Sequence, residues 1–324
     1  MSKGQKLAVI VPVFNEEENL PELKRRLSAV LDATGLDYEV ILVDDGSKDK
    51  TFEALRGFNR ADGRWKALSL SRNFGHGPAC TSGLDHVDAD AVVFLDADLQ
   101  DPPELIAEFI KKWREGYSVV FGARTARSEG LLRQAVTSVF YRLLNGLSAT
   151  PLPLDAGIFS LLDKKAYESL RALPERHRYL TGLRSWVGFP QISVAYERQP
   201  RHASEPKQSL VKLTALAFDA IFGFSSAPLR LATIAGMLMA AGSFLLSLKV
   251  LYEKFFTDKP IIGWTSTIVV MTWTGGAILF TLGIIGEYVG RIYDEIKQRP
   301  IYLVKEKIGL GAPASTLTTV DRRG

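Results

Sequence analysis

Residues Ala91–Glu104 read AVVFLDADLQDPPE, an uninterrupted apolar run that ends in two carboxylates one residue apart. A buried parallel strand reads this way when it delivers acidic side chains to the carboxyl edge of its sheet, where such sheets bind ligands. Asp96 and Asp98 therefore project from a strand end into a crevice. Oxygen donors of this kind, with the amide of Gln100 nearby, suit a hard divalent ion that keeps waters and grips a diphosphate, rather than zinc. The same residues also suit a plain acidic turn that stops a strand and caps a helix beginning near Pro103, because Asp101 followed by Pro102 and Pro103 is a good helix start. The rest of the chain decides between the two.

Upstream, Leu7 to Phe14 is a short, mostly β-branched apolar run closed by Asn15-Glu16-Glu17-Glu18-Asn19. It predicts a first strand, followed by a helix from about Leu20 to Ala33. Glu39 to Val43 predicts a second strand closed by Asp44-Asp45-Gly46-Ser47, then a helix over Lys50 to Phe58 and a third strand over Ala67 to Leu70. The loop Arg72 to Gly77 and a small-residue helix lead into the strand at Ala91. Alternating units of this length predict an α/β fold with a doubly wound, mostly parallel sheet. All strand carboxyl ends of a parallel sheet lie on one rim, so Glu16, Asp44, Asp45, Asp96 and Asp98 are expected to converge. Clustered carboxylates repel unless a cation or hydrogen-bond donors offset them. Each alone is equally explained as an acidic residue favoured by the dipole at a helix start. No GxGxxG follows the first strand and no GxxxxGK[ST] occurs, so neither a dinucleotide fold nor a P-loop is indicated.

The chain has 324 residues, and its 46% apolar content is near the globular norm. That average conceals a split. Up to Lys207 charged and apolar segments alternate, whereas Leu231 to Leu248 and Ile261 to Ile285 contain no charged residue. Each is long enough to cross a hydrocarbon core that needs about 20 helical residues, which predicts two transmembrane helices; a buried hairpin in a soluble domain is the alternative. The net charge of +4 comes without a dense basic patch interleaved with aromatics, so no nucleic-acid partner is expected. Cys80 is the only cysteine, which excludes an intramolecular disulfide. The apolar part of the N-terminus is too short for a signal peptide and exits into acidic residues. Arg230 precedes the first span and Arg291, Lys297, Arg299, Lys305 and Lys307 follow the second. Lysine and arginine excess favours the cytoplasmic side, so a multi-pass protein of the plasma (inner) membrane with both termini cytoplasmic is expected.

The segments VPVFNEEENL, VDDGS, SRNFG and LDADLQDPPE, in this order and at these intervals, resemble inverting glycosyltransferases of family 2, the GT-A type. Within that family they look like the branch that includes dolichol-phosphate mannose synthases and bacterial GtrB-like polyprenyl-phosphate glucosyltransferases. The resemblance covers about Leu7 to Lys207. It implies that Pro12, Phe14, Glu16 and Asp44 or Asp45 line the nucleoside pocket. It also implies that Asp96, Asp98 and Gln100 hold Mg²⁺ or Mn²⁺ against the diphosphate, with Asp98 a direct ligand. The donor implied is a UDP-sugar, UDP-glucose in the GtrB-like branch, and the acceptor undecaprenyl phosphate.

Downstream of a strand at Ser118 to Phe121, Arg124 and Arg133 stand where the resemblance places phosphate-binding arginines, and guanidinium forks match phosphate oxygens. A solvated helix face would explain either one alone. In Pro151 to Leu162, PLPLDAGIFSLL, Asp155 matches the acidic residue beside the acceptor, and Gly157 could let backbone approach a ligand. A lipid monophosphate has a second pKa near 6, so Asp155 is expected to orient more than to deprotonate. Arg178 to Trp186, RYLTGLRSW, lies where processive relatives carry QxxRW, and no arginine adjoins Trp186. Gln191 to Gln199 suits an edge strand. Arg201 and Lys207 lie in RHASEPK, which resembles RxxGxSK but has Ser204 and Pro206 where glycine and serine are usual.

The expected layout is a cytoplasmic catalytic domain over 1–207, a juxtamembrane amphipathic helix over 208–228 in contact with membrane lipids, spans over 229–252 and 261–286, and a cytoplasmic tail over 287–324. The expected activity is metal-dependent transfer of one hexose to a polyprenyl phosphate. Another donor such as GDP-mannose, a processive polysaccharide synthase and a non-catalytic nucleotide-sugar sensor are the rival readings. The sequence leaves room for a homo-oligomer.

Overall fold

The structure, a computed structural model, describes residues 4–124, 156–176, 178–197, 227–256 and 263–311. In chain order the first half is β1 (Lys6–Val13), α1 (Leu20–Ala33), β2 (Asp37–Asp44), α2 (Thr51–Ala61), β3 (Trp65–Leu70), α3 (His76–Asp85) and β4 (Ala91–Phe94). A 3-10 turn at Pro103–Leu105 leads into α4 (Ile106–Arg114), and β5 (Val119–Arg124) follows. Then come β6 (Ala156–Asp163), α5 (Lys164–Ala172), α6 (Leu180–Trp186), β7 (Gln191–Tyr196), α7 (Ala227–Phe256), α8 (Trp264–Ile296) and β8 (Val304–Ile308).

One eight-stranded sheet has the order β7-β5-β6-β4-β1-β2-β3-β8. Pairings β1–β2, β1–β4, β2–β3 and β5–β7 are parallel, and β6 and β8 run against their neighbours. The fold is therefore α/β with a mostly parallel, doubly wound sheet, as the alternating units predict. β1 lies at its centre because its apolar run serves both faces. Leu7, Val9, Val11 and Val13 pack into one core cluster and Ala8 and Ile10 into the other. α1 presents Leu20, Leu23, Leu27 and Leu31 as a single buried stripe, and its Pro21 sits in the first turn, where no amide donor is needed. Each buried leucine contributes about 2 kcal/mol. α3 lies close on the opposite face, because a Cβ at Gly83 would meet Ile10 Cγ2 at 2.5 Å.

Two segments depart from the sequence reading. Ala156–Asp163 is a full strand, inserted antiparallel between β4 and β5, where the sequence reading placed only a lone carboxylate among apolar residues. The segment assigned to a tail also returns to the sheet. α8 runs on to Ile296, and Val304–Ile308 pairs antiparallel with β3, with Leu70 opposite Val304. Tyr302, fully buried, donates its hydroxyl to Asp85 at 2.9 Å, and Arg56 pairs with Glu306 at 2.6 Å. Nothing in VKEKI distinguishes a solvated tail from an edge strand, because its alternation gains meaning only beside β3.

α7 and α8 carry stretches of mean hydropathy 1.9 and 2.0, with 6% and 0% of their residues buried. Both are long and apolar enough to cross a membrane. Their exposed apolar faces, Leu238, Phe256, Trp273 and Phe280 among them, are not those of a buried hairpin in a soluble core.

Candidate active site

Strand order places the chain's reversal of winding between β4 and β1, where a doubly wound sheet opens a crevice at its carboxyl rim. Leu95 N donates to Ile10 O at 3.0 Å and Asp45 N to Val13 O at 2.9 Å, so the ends of β4, β1 and β2 sit side by side. From Asp96 to Asp101 burial alternates. Asp96, Asp98 and Gln100 are half-buried on the open side, while Ala97, Leu99 and Asp101 turn inward. Leu99 holds a left-handed φ of 58°, uncommon for a branched residue, and its side chain is anchored in the core. Asp98 Oδ1 accepts the Gln100 amide at 3.1 Å, which closes the turn.

His76, at the head of α3, places Nε2 2.8 Å from Asp96 Oδ1. The Cys80 sulfur near Nδ1 and the Asp96 carboxylate at Nε2 hold the imidazole pKa well above its ordinary value.

The carboxylates at the end of β2 accept hydrogen bonds from the neighbouring loops. Asp44 accepts Ser47 N at 2.9 Å and the Ser69 hydroxyl at 2.8 Å. Asp45 accepts Phe74 N at 2.7 Å and Gly75 N at 2.9 Å. Burial pushes the Asp45 pKa up in spite of those donors. Both groups thus shape the rim by tying its loops together. Gly46 permits this, since at φ 71° a Cβ would stand 2.5 Å from the carbonyl carbon of Arg72. Glu16 accepts the Asn19 side-chain amide at 2.6 Å, and its backbone N donates to Thr51 Oγ1 at 3.0 Å. Pro12, opposite Val43, and Phe14 are half-buried beside it.

Arg124 ends β5 on the same side of the molecule as the Asp101 turn. Its Nε donates to Tyr196 Oη at 3.3 Å, its Nη2 lies 3.6 Å from Asp101 Oδ2, and Tyr196 donates its hydroxyl to Asp101. Arg133, Asp155, Arg201, Lys207 and almost all of the expected 208–228 helix lie outside the described residues. The structure thus brings together Asp96, Asp98 and Gln100 and puts Arg124 on the Asp101 anchor. It adds His76, Asp101 and Tyr196, which sequence reasoning missed. His76 had a signal, following SRNFG at a rim helix start, whereas Tyr196 is visible only through the β5–β7 register.

The donor set fits a hard divalent ion. Two carboxylates and an amide oxygen are the right chemistry, and they leave positions for diphosphate oxygens and water. Among the described residues no group of three or more histidine, cysteine or acidic side chains could hold a metal alone, so such an ion would need its nucleotide.

The α/β sheet, with Asp96 and Asp98 half-buried at its switch point, is joined to two helices long and apolar enough to cross a membrane. Residues 8–171 match the family described as glycosyl transferase family 2. The chain is 46% identical over 311 residues to the uncharacterized glycosyltransferase YkcC of Bacillus subtilis (strain 168), covering 96% of both chains. It is 37% identical over 302 residues to the bactoprenol glucosyl transferase of Shigella phage SfII, covering 93% of this chain and 98% of that one. Among solved structures it matches glucosyl-3-phosphoglycerate synthase from Mycobacterium tuberculosis in complex with Mn²⁺, UDP-glucose and glycerol 3-phosphate. That match has a TM-score of 0.47 and 21% identity and covers 68% of this chain and 78% of that one. The chain belongs to glycosyltransferase family 2.

Proposed function

We propose that the protein transfers a single glucose from UDP-glucose to a polyprenyl phosphate, undecaprenyl phosphate in the bacterial case, at the cytoplasmic face of a membrane. The observation that carries this reading is the outward side of the Asp96–Gln100 turn, which presents two carboxylates and an amide at the switch point of the sheet. The likeness to a bactoprenol glucosyl transferase over nearly the whole chain supports the acceptor class. Strand β8 supports a lipid acceptor too, because the chain leaving α8 rejoins the sheet level with the end of β3, at the same rim.

Asp96, Asp98 and Gln100 would hold Mg²⁺ or Mn²⁺ with the donor, and the ion when bound supplies Lewis-acid stabilisation of the leaving diphosphate. Pro12, Phe14 and Glu16 flank the nucleoside, on a rim fixed by Asp44 and Asp45. Arg124, with Arg133, Arg201 and Lys207, supplies cations for donor and acceptor phosphates. An acceptor phosphate oxygen attacks the anomeric carbon as the bond to UDP breaks, and the electron pair leaves with UDP. This in-line displacement inverts the centre. The attacking oxygen is already ionised at neutral pH, so Asp155 orients it.

The test is purified full-length protein in detergent with Mg²⁺ or Mn²⁺, undecaprenyl phosphate and labelled UDP-glucose, UDP-galactose or GDP-mannose. One labelled hexose on the lipid, strongest with UDP-glucose, is expected. Preference for another donor would correct the sugar, chain extension would favour a processive synthase, and donor binding without lipid labelling would favour a sensor.

A further inference from the structure

Beside the carboxylate turn, the third acidic residue of LDADLQDPPE is 1% exposed, and among its partners two come from strands far along the chain. Asp101 receives the Tyr196 hydroxyl of β7 and faces Arg124 Nη2 of β5, while Arg124 Nε donates to the same tyrosine oxygen. Two glycines make space for this group. A Cβ at Gly122 would stand 2.7 Å from Tyr196 Cε1, and one at Gly157 would stand 2.8 Å from Arg124 Nη2. The tyrosine ring is held edge-on to Phe159 at 6.1 Å between centroids. A carboxylate this buried is costly unless it is offset, and here the tyrosine hydroxyl donates to Oδ1 while the guanidinium faces Oδ2 as an ion pair at 3.6 Å, longer than a hydrogen bond. The arginine keeps about a third of its side chain in solvent, and its Nη1 has no protein partner among the described residues. The arrangement holds the guanidinium by a hydrogen bond at Nε and by charge at Nη2, and leaves Nη1 open among the described residues.

We infer that Asp101 and Tyr196 are positioning residues that aim the open edge of Arg124 at a substrate phosphate, and so tie the carboxylate turn mechanically to the phosphate-binding cation. The inference rests on the proposed transferase reading, which supplies a phosphate from either the donor diphosphate or the lipid monophosphate. An unheld arginine samples many rotamers and loses that freedom on binding, whereas one fixed in advance does not. Tyr196 touches no substrate and acts through Arg124.

The decisive variant is Tyr196→Phe, which keeps the ring on Gly122 and removes only the hydroxyl. It is expected to raise KM for the substrate whose phosphate Arg124 contacts by about tenfold, as for loss of one orienting hydrogen bond to a charged group, while kcat stays within about threefold. Two arms separate the sources: titration of UDP with Mn²⁺, and steady-state KM for undecaprenyl phosphate at saturating UDP-glucose. Weaker UDP binding assigns the donor, and a raised lipid KM assigns the acceptor. In an Arg124→Ala background the same tyrosine change is expected to be silent. Wild-type constants in both arms for Tyr196→Phe, or an undiminished effect in the Arg124→Ala background, overturn the inference. Asp101→Asn repeats the comparison should the tyrosine variant melt early; a cycle with Arg124→Ala that is additive in both arms likewise overturns it. An inactive wild-type protein would instead strike the transferase reading, and the UDP arm still reports on the positioning.

Discussion

The ends of β2 and β4 look alike in the sequence, each an apolar run closed by two acidic residues, yet the structure gives them different surroundings. At the end of β2, Asp44 and Asp45 are 2% and 4% exposed and engaged by backbone amides and a serine hydroxyl. At the end of β4, Asp96 and Asp98 stand on the open side of a turn whose inward residues are buried. One pair is buried in the rim and the other lies half-buried at its surface. The comparison breaks most readily at Asp98. Asp98→Ala is expected to lower transfer by about 100-fold or more, on the scale of losing a charged group at the reacting diphosphate, while the protein stays folded at a cost of about 1 kcal/mol for the lost Gln100 amide bond. Lipid labelling and a thermal melt check both halves, and a folded variant with normal transfer would erase the distinction.

The rim-building side is tested at Gly46. Gly46→Ala puts a Cβ within 2.5 Å of backbone at Arg72 and asks for a left-handed conformation at an alanine. It is expected to cost about 2–4 kcal/mol, read from a denaturant titration, with activity falling as the folded fraction falls. Normal stability would mean that the two loops part at little cost. Gly157→Ala should do less, since its Cβ meets the far end of a side chain. A loss in kcat/KM of about tenfold with little change in melting is expected as Arg124 is displaced.

The strands β1 to β4 and the helices between them were legible because a buried parallel sheet writes itself as short β-branched runs at regular intervals. The rim was legible for the same reason, since direction alone puts strand ends together. Which carboxylates would face outward was not legible. That depends on the loop Phe74–Gly75 turning its amides toward Asp45 and on the left-handed turn at Leu99. β6 and β8 were missed because an antiparallel insertion leaves no local mark. Tyr196 became a site neighbour only through the β5–β7 register, which pairs it with Arg124 across residues 72 apart in sequence.

The smallest expected effect is a pH signature confined to the rim-building pair. Burial raises the Asp45 pKa above its value in the unfolded chain, so the folded state holds the proton more tightly. By linkage, the stability this group contributes is full below its unfolded pKa of about 3.9 and is lost as pH rises through the raised folded value. Asp45→Asn removes that titration and leaves a single side-chain oxygen for the two amides of Phe74 and Gly75, at a cost of about 1–2 kcal/mol. The difference in stability between wild type and variant should therefore shrink as pH rises from about 3.5 through the folded pKa, and then stay flat. A difference that grows over that range would mean that the amides outweigh burial and hold the carboxylate charged.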